Sequence, residues 1–321
     1  MKFITKKFFN QKTVFIDGLT RSGKSIFTNI IPSFKNVEQT EYVLDFEQLL
    51  AAYYCKQIKF DYLKAHTHNH FLEKGYNKLL SRSVNFRPGD QTGVANYAFK
   101  EISIKRLKKK DGDNNLKDLL NSKNIFLYQT HDMMLHAKPL IQLGLNLKIL
   151  EIYRNPFDLI CDWIKGNLIS RFTRDIRFWF PVIKFNHGLK GIWYHNIIKK
   201  YFKSWNKLNT IEKTSIMAIE ITKKCILNQK LLQKKIPIKT FCFEEVIYND
   251  NLVMKLEKFL NTKHSKFTKH FLKKAKIPRN SIENEQVFNK KYLKNNVNNK
   301  IFRQLEDLEK MYKKNVYGLK K

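Results

Sequence analysis

The sequence predicts an α/β protein with a mainly parallel central sheet flanked by helices, and three observations carry that prediction. The stretch GLTRSGKS (18–25) fills every fixed position of G-x-x-x-x-G-K-[ST] with Gly18, Gly23, Lys24 and Ser25. It stands between an apolar, β-branched run, KTVFIDG (12–18), and a helical stretch, KSIFTNIIPSF, that reads as continuous until Pro32. Farther on, the strand patterns NIFLYQTHD (124–132) and LKILEIY (147–153) are separated by a helical segment, and strands joined in this way need crossover connections.

The remaining elements follow in order. Residues 40–120 read as several helical stretches around a turn-rich patch, SRSVNFRPGDQTG (81–93), and are taken as an insertion carrying specificity. A helix is expected over 132–143 with Gly144 as its stop, and another from Phe157 to about Leu168 after the turn RNP. The segment 170–210 is rich in aromatic and basic residues, and 211–235 reads as a long amphipathic helix. One more strand is expected in IKTFCFEEVIYNDN (238–251), then a helix in LVMKLEKFLN, a Lys-rich segment (263–279) and a final helix at about 298–315. No linker rich in Pro, Gly or Ser divides the 321 residues, so one domain is expected, with its core at about 12–262 and a basic extension at about 263–321.

Composition narrows the function classes. The formal charge of +33 invites a polyanion as partner. Yet only ten of the basic residues are Arg and fifty-one are Lys, spread along the whole chain among many Asn and Ile. That pattern is a global bias, and no recognised nucleic-acid module accompanies it, so no specific nucleic acid is expected. Peripheral contact with an anionic surface remains compatible with such a field. Cys55, Cys161, Cys225 and Cys242 show no C-x-x-C spacing and read as reduced core thiols. The N-terminus lacks an apolar export segment and no run approaches the ~18 apolar residues of a membrane span, so a cytoplasmic protein is expected.

Chemistry concentrates at one sheet edge. A loop between strand and helix turns its backbone N–H groups toward one spot, where an anion is favoured. In a parallel sheet ligands lie at the carboxyl ends of the strands, which places Gly18 to Ser25, His131 and Arg154 together. The loop, a strand ending in T-H, a strand ending in Y-R-N-P-x-D, and a late F-E-E followed by F-L-N then form an ordered set. This order resembles the sulfotransferases that use 3′-phosphoadenosine 5′-phosphosulfate (PAPS), a branch of the three-layer phosphate-loop fold. The resemblance covers about residues 12–262, less clearly between 40 and 120.

The resemblance implies that TRSGKS surrounds the donor's 5′-phosphosulfate, so that Gly18, Thr20, Arg21, Ser22, Gly23, Lys24 and Ser25 bind it. It further implies that YRNPFD, through Arg154, holds the 3′-phosphate, and that YQTHD carries the catalytic His131. Sulfuryl transfer is governed by positioning and by charge on the leaving oxygen, a task suited to Arg21 and Lys24. His131 suits proton removal from the acceptor, with Asp132 orienting it or acting in its place. The family's pattern has Ser eight residues after the Arg, where this chain has Asp162, a carboxylate set against a dianion. Ser170, Arg171, Arg174 and the cluster Lys273, Lys274, Arg279 are candidate substitutes. The family's C-terminal R-K-G loop is missing.

Other residues have two readings. Arg82, Asn85, Arg87 and Asp90 could bind an acceptor sugar or carboxylate, and a turn held by Pro88 and Gly89 explains the same letters. His66, His68 and His70 would share a face on a strand, but without a carboxylate or Cys at ligand spacing a solvated loop is preferred, and no metal is expected. RDIRFWFPVIKF (174–185) reads as core or rim packing. Asp158 and Glu244 read as structural, bonding backbone N–H groups near the active edge.

The sequence therefore points to a sulfotransferase moving a sulfuryl group from PAPS to a hydroxyl or amine, with a carbohydrate or surface-polymer precursor as the acceptor class. The first alternative is an ATP-dependent kinase or NTPase, with Mg²⁺ held by Ser25 and a carboxylate such as Asp45, Glu151 or Asp17. The second is a non-catalytic nucleotide- or polyanion-binding protein.

Overall fold

The computed structural model describes residues 10–170, 201, 203–248, 251–278 and 283–315. Five strands, β1 (Lys12–Asp17), β2 (Glu41–Tyr42), β3 (Ile125–Gln129), β4 (Leu147–Tyr153) and β5 (Ile238–Cys242), form one sheet in the order β2-β3-β1-β4-β5. Every pairing is parallel. The expected α/β architecture is therefore present, and its sheet is parallel throughout rather than mainly so.

Alternation along the strands explains the three layers. In β1, Phe15 enters one core while Val14 and Ile16 enter the other; in β3, Phe126 and Tyr128 oppose Ile125 and Leu127. A strand covered on both faces has no polar side to present, hence the unbroken apolar runs of β1 and β3. The larger core takes the helices Leu44–Tyr54, Phe60–Leu79, Pro156–Lys165, Thr210–Leu232 and Asn299–Asn315. Its centre is aromatic: Phe15 stacks on Phe46 at 5.4 Å and meets Phe71 edge-on at 5.6 Å. The smaller core takes Ser25–Ile30, Leu252–Leu260 and Thr268–Lys274.

Several element boundaries differ from expectation. The helix expected at 132–143 is a 3-10 turn, Met133–His136, and a short helix, Leu140–Leu143, ended by Gly144 in the left-handed conformation. Pro139 separates the two pieces because a ring nitrogen cannot continue the ladder. The strand expected at 238–251 stops at Cys242, and Phe243–Tyr248 is helical. After β2 ends at Tyr42 the chain passes directly into the helix Leu44–Tyr54. The helix beginning at Thr210 is fixed by a capping box in which Asn209 and Glu212 bond each other's backbone N–H groups. The basic extension holds the helices Thr268–Lys274, Glu283–Asn296 and Asn299–Asn315.

His66, His68 and His70 lie in the helix Phe60–Leu79, neither on a strand nor in a solvated loop. On a helix residues two apart diverge, and the three go to separate partners: the Tyr62 ring, the Leu143 carbonyl and Asp45. Among the described residues no group of three or more His, Cys, Asp and Glu is arranged to hold a metal ion. Nor is any described helix long and apolar enough to cross a membrane. The four cysteines are free thiols.

Candidate functional site

The loop 18–25 leaves β1 at the centre of the sheet, and its backbone needs its glycines. Gly18 has φ +143°, and a Cβ there would stand 2.4 Å from the Ile152 carbonyl oxygen. Gly23 has φ +92°, and a Cβ would stand 2.2 Å from the Phe243 ring. Both positions combine a left-handed backbone with no room for a side chain. Arg21 also adopts a positive φ of 71°. Bonds from Ser22 N to Leu19 O (2.9 Å) and from Ile26 N to Gly23 O (3.1 Å) close the turn. From outside, Trp163 Nε1 donates to Thr20 O at 2.6 Å and Arg154 Nη1 donates to Arg21 O at 3.2 Å.

Strand order puts the other residues beside this loop. β3 and β4 flank β1 on opposite sides, so the segments that follow them emerge left and right of the loop. His131 arrives after β3, where Thr130 N donates to Ile16 O and Thr130 Oγ1 donates to Asp17 at 2.8 Å. Arg154 arrives directly after β4. Lys24 reaches inward: its ammonium donates to Gly18 O at 2.6 Å and lies 3.5 Å from His131 O.

The β3 side is buried and carboxylate-rich. Asp17 accepts from Met133 N and Met134 N, pinning the turn after His131. Glu47 Oε1 accepts from His131 N at 2.8 Å and lies 3.3 Å from His131 Nδ1. The imidazole stacks on Tyr42 with ring centres 5.7 Å apart. Burial, and next the Lys24 charge, push the His131 pKa down to about 4, so the ring is neutral at physiological pH. With Nδ1 donating to Glu47, the lone pair is on Nε2, the form a general base needs. Burial raises Glu47 to about 7 and pushes Asp132 and Glu151 well above the carboxylate range. Burial also lowers Lys24, against the pull of Asp17, Glu47, Asp132 and Glu151.

Glu47, rather than Asp132, is the carboxyl against the imidazole Nδ1. Asp132 is buried, and burial and then the Glu47 charge push its pKa up. Sequence reasoning missed Glu47, which lies 84 positions from His131 inside an ordinary amphipathic helix.

The β4 side is cationic and more open. Arg154 Nη1 bonds Asp162 Oδ2 at 2.6 Å, and the guanidinium lies 4.8 Å from the Phe243 ring centre. Asp162 thus meets the charge of Arg154, which is its local reason for being acidic. Two buried polar atoms here have no partner among the described residues, Arg154 Nε and Ser22 Oγ. Arg21 is exposed, and its guanidinium lies beside Gly166. These atoms fit an anion held between the loop and Arg154, and a phosphate on Arg154 would compete with the Asp162 carboxylate.

Glu244 supports this side as expected, accepting from Asn155 N at 2.8 Å and from the Tyr312 hydroxyl. Asp158 instead accepts from the side-chain amides of Asn289 and Gln286. Asn155 caps the helix Pro156–Lys165 through Phe157 N.

Among the described residues no hydrogen bond joins Arg82, Asn85, Arg87 or Asp90 to the loop. Arg82 pairs with Asp111 and lies over the Tyr76 ring. Asn85 donates to Asp90 and accepts from Arg87 N, so these three hold one another in a turn, with the Arg87 side chain 81% exposed. That segment reaches the loop through Gln91, which sequence reasoning passed over: its Nε2 donates to Ser25 O at 2.7 Å, and Tyr42 OH donates to its Oε1 at 3.3 Å. Of the substitutes considered for the 3′-phosphate, Lys274 bonds Asn96 Oδ1, while Arg171, Arg174 and Arg279, like the stretch 174–185, lie outside the described residues. Of the proposed Mg²⁺ partners, Asp45 pairs with His70, and Asp17 is taken up by Thr130, Met133 and Met134.

No family model and no curated protein matches the chain. Among solved structures it is similar to a sulfotransferase domain from the curacin biosynthetic pathway, at 10% identity and a TM-score of 0.40, over 81% of this chain and 77% of that one. It is also similar to the sulfotransferase STF9 from Mycobacterium avium, at 8% identity and a TM-score of 0.36, over 89% of this chain and 76% of that one.

Proposed function

We propose that the protein is a PAPS-dependent sulfotransferase acting on a hydroxyl or amine. The observation that supports this reading best is the placement of three groups at one sheet edge. The loop 18–25 lies between His131 and Arg154, with Lys24 3.5 Å from the His131 carbonyl and Arg154 3.2 Å from the Arg21 carbonyl. When bound, PAPS supplies a sulfuryl group attached to a phosphate that leaves readily.

The chain's own residues do the rest. Arg21, Ser25 and the loop N–H groups hold the 5′ end, and Lys24 supplies positive charge from the inner wall of the loop. His131 Nε2 takes the acceptor's proton, while Glu47 fixes the ring through Nδ1. Arg154 holds the 3′-phosphate in place of Asp162, with the Phe243 ring keeping its guanidinium flat.

A kinase or NTPase is the second reading. One observation favours it: Lys24 stands among four buried carboxyl groups, of which Glu47, Asp132 and Glu151 each keep a buried oxygen without a hydrogen-bond partner among the described residues. Thermal unfolding separates the two, because a ligand that binds only the folded state raises its melting temperature. Stabilisation by adenosine 3′,5′-bisphosphate without metal is expected. A response confined to Mg-ATP would replace this reading with the kinase, and bisphosphate binding without sulfuryl transfer to any acceptor would leave a binding protein.

A further inference from the structure

A second cavity, of about 560 Å³, opens on the same face as the larger core, and none of its lining residues belongs to the loop site. It lies between the end of the helix Leu44–Tyr54, the turn that follows, residues 135–142, and the second half of the helix Thr210–Leu232. The chain leaves that helix and re-enters the sheet at Ile238, at the starting end of a parallel strand. Asn228 bonds Met134 O and Leu135 O, and Gln229 bonds Thr240 at the register of Glu151 and Asp17, so this part of the helix stands level with the end of β1.

The lining has two chemical halves. Tyr53, Tyr54, Ile58, Leu135 and Pro139 form an apolar, largely ring-bearing wall. Lys56, Lys138 and Lys224 bring three ammonium groups, and no Asp or Glu is among the lining residues. Lysine is common in this chain, but a cavity with three cations and no acid has an unbalanced field, and low-dielectric walls strengthen it.

The wall is also pre-formed. Lys224 lies 3.9 Å over the Tyr54 ring and donates to its hydroxyl at 2.6 Å, with the His136 ring 4.8 Å from the same Tyr54. Asn228 Nδ2 donates to Met134 O and Leu135 O, fixing the turn that carries Leu135 and His136. The volume is that of an ordinary small-molecule site, where an apolar body is buried and a few polar groups orient it.

We propose that this cavity is a second binding site, for a small anion on a flat aromatic body: an aryl carboxylate, phosphate or sulfate. The ring lies against Tyr53, Tyr54 and Pro139, and the anionic group is met by Lys224 and Lys138. Its lining residues are separate from those of the loop, and its failure would leave the loop reading untouched.

Naphthalene-2-sulfonate is the probe, titrated into the whole chain by isothermal calorimetry beside neutral 2-naphthol and ring-free methanesulfonate. One molecule per chain is expected, bound roughly tenfold or more tighter than either control. Lys224→Glu should weaken binding about tenfold and Lys138→Glu severalfold, while Arg21→Ala leaves it unchanged. Lys138 is exposed, so its variant decides the matter even if Lys224→Glu unfolds. Absence of saturable binding up to about 1 mM, equal binding of 2-naphthol, insensitivity to Lys138→Glu, or loss on Arg21→Ala would each overturn the proposal.

Discussion

The two flanks of the glycine loop are built on opposite electrostatic plans. On the β3 side His131 stands among buried Glu47, Asp132, Asp17 and Lys24, with the Glu47 and Asp132 carboxyls raised and the imidazole lowered. On the β4 side Arg154 and exposed Arg21 present guanidinium groups, and the nearest acid, Asp162, is bound to one of them. Burial without full pairing shifts pKa values and makes a place where protons move. Pairing near the surface preserves charge and makes a place where an anion is gripped. On the proposed reading, a single loop separates the flank that moves a proton from the flank that holds phosphate.

The comparison can be broken most severely at the loop itself. In Gly23→Ala a methyl group must displace the Phe243 ring and hold a left-handed backbone. Loss of nucleotide binding and destabilisation of about 2–3 kcal/mol are expected, read by calorimetry and by urea unfolding. Retained binding would mean that the loop is not the anion site. On the proton-transfer flank, His131→Ala should lower kcat by ~10²–10⁴-fold while bisphosphate affinity stays the same. A variant weakened only in KM would move His131 out of the chemistry.

The anion flank is sharpened by Asp162→Ser, which releases Arg154 Nη1 from its carboxylate partner and leaves its bond to Arg21 O. Affinity for adenosine 3′,5′-bisphosphate should rise about tenfold, and affinity for adenosine 5′-phosphate should change little, at a stability cost of about 1 kcal/mol. Equal gains for both nucleotides would detach Arg154 from the 3′ end.

The smallest effect concerns Glu47. Its carboxyl titrates at about 7 in the fold, against 4.5 for an ordinary glutamate. Across that window the folded protein keeps a proton that the unfolded chain has released, so this group weakens the fold as pH rises. His131 acts in the other direction, adding stability as pH rises from about 4 toward 6.5. Glu47→Gln removes the first effect and leaves that of His131. Its stability deficit relative to the unaltered protein should therefore narrow between about pH 5 and about pH 8 in urea unfolding. Its kcat should fall with donor affinity preserved, as expected for a residue acting through His131.

What the sequence revealed follows from the range of the forces involved. β1, β3, β4 and the loop were legible because a continuous apolar run, a glycine pattern and a strand-to-helix switch are local signals. FCFEEV misled because Phe243 and Glu244 answer to distant partners, the loop at Gly23 and the residues Asn155 and Tyr312. β2 has two residues and exists through its pairing with Tyr128 and Gln129. Asp162 stood out as a departure, but its reason is the Arg154 ion pair, which joins the end of β4 to the second turn of the helix Pro156–Lys165 and carries no short-range sequence signal. Glu47 carried no motif, and only the packing of its helix against the turn after β3 brings it to His131.

The central claim is that a nucleotide is held by the loop and Arg154 together, with His131 on the opposite side. The most direct measurement is calorimetric titration of adenosine 3′,5′-bisphosphate in metal-free buffer into the unaltered chain, Arg154→Ala and His131→Ala. Binding is predicted in the unaltered chain, weakened about tenfold or more in Arg154→Ala and unchanged in His131→Ala. Affinity that does not respond to Arg154→Ala, or binding that appears only with magnesium, would contradict it.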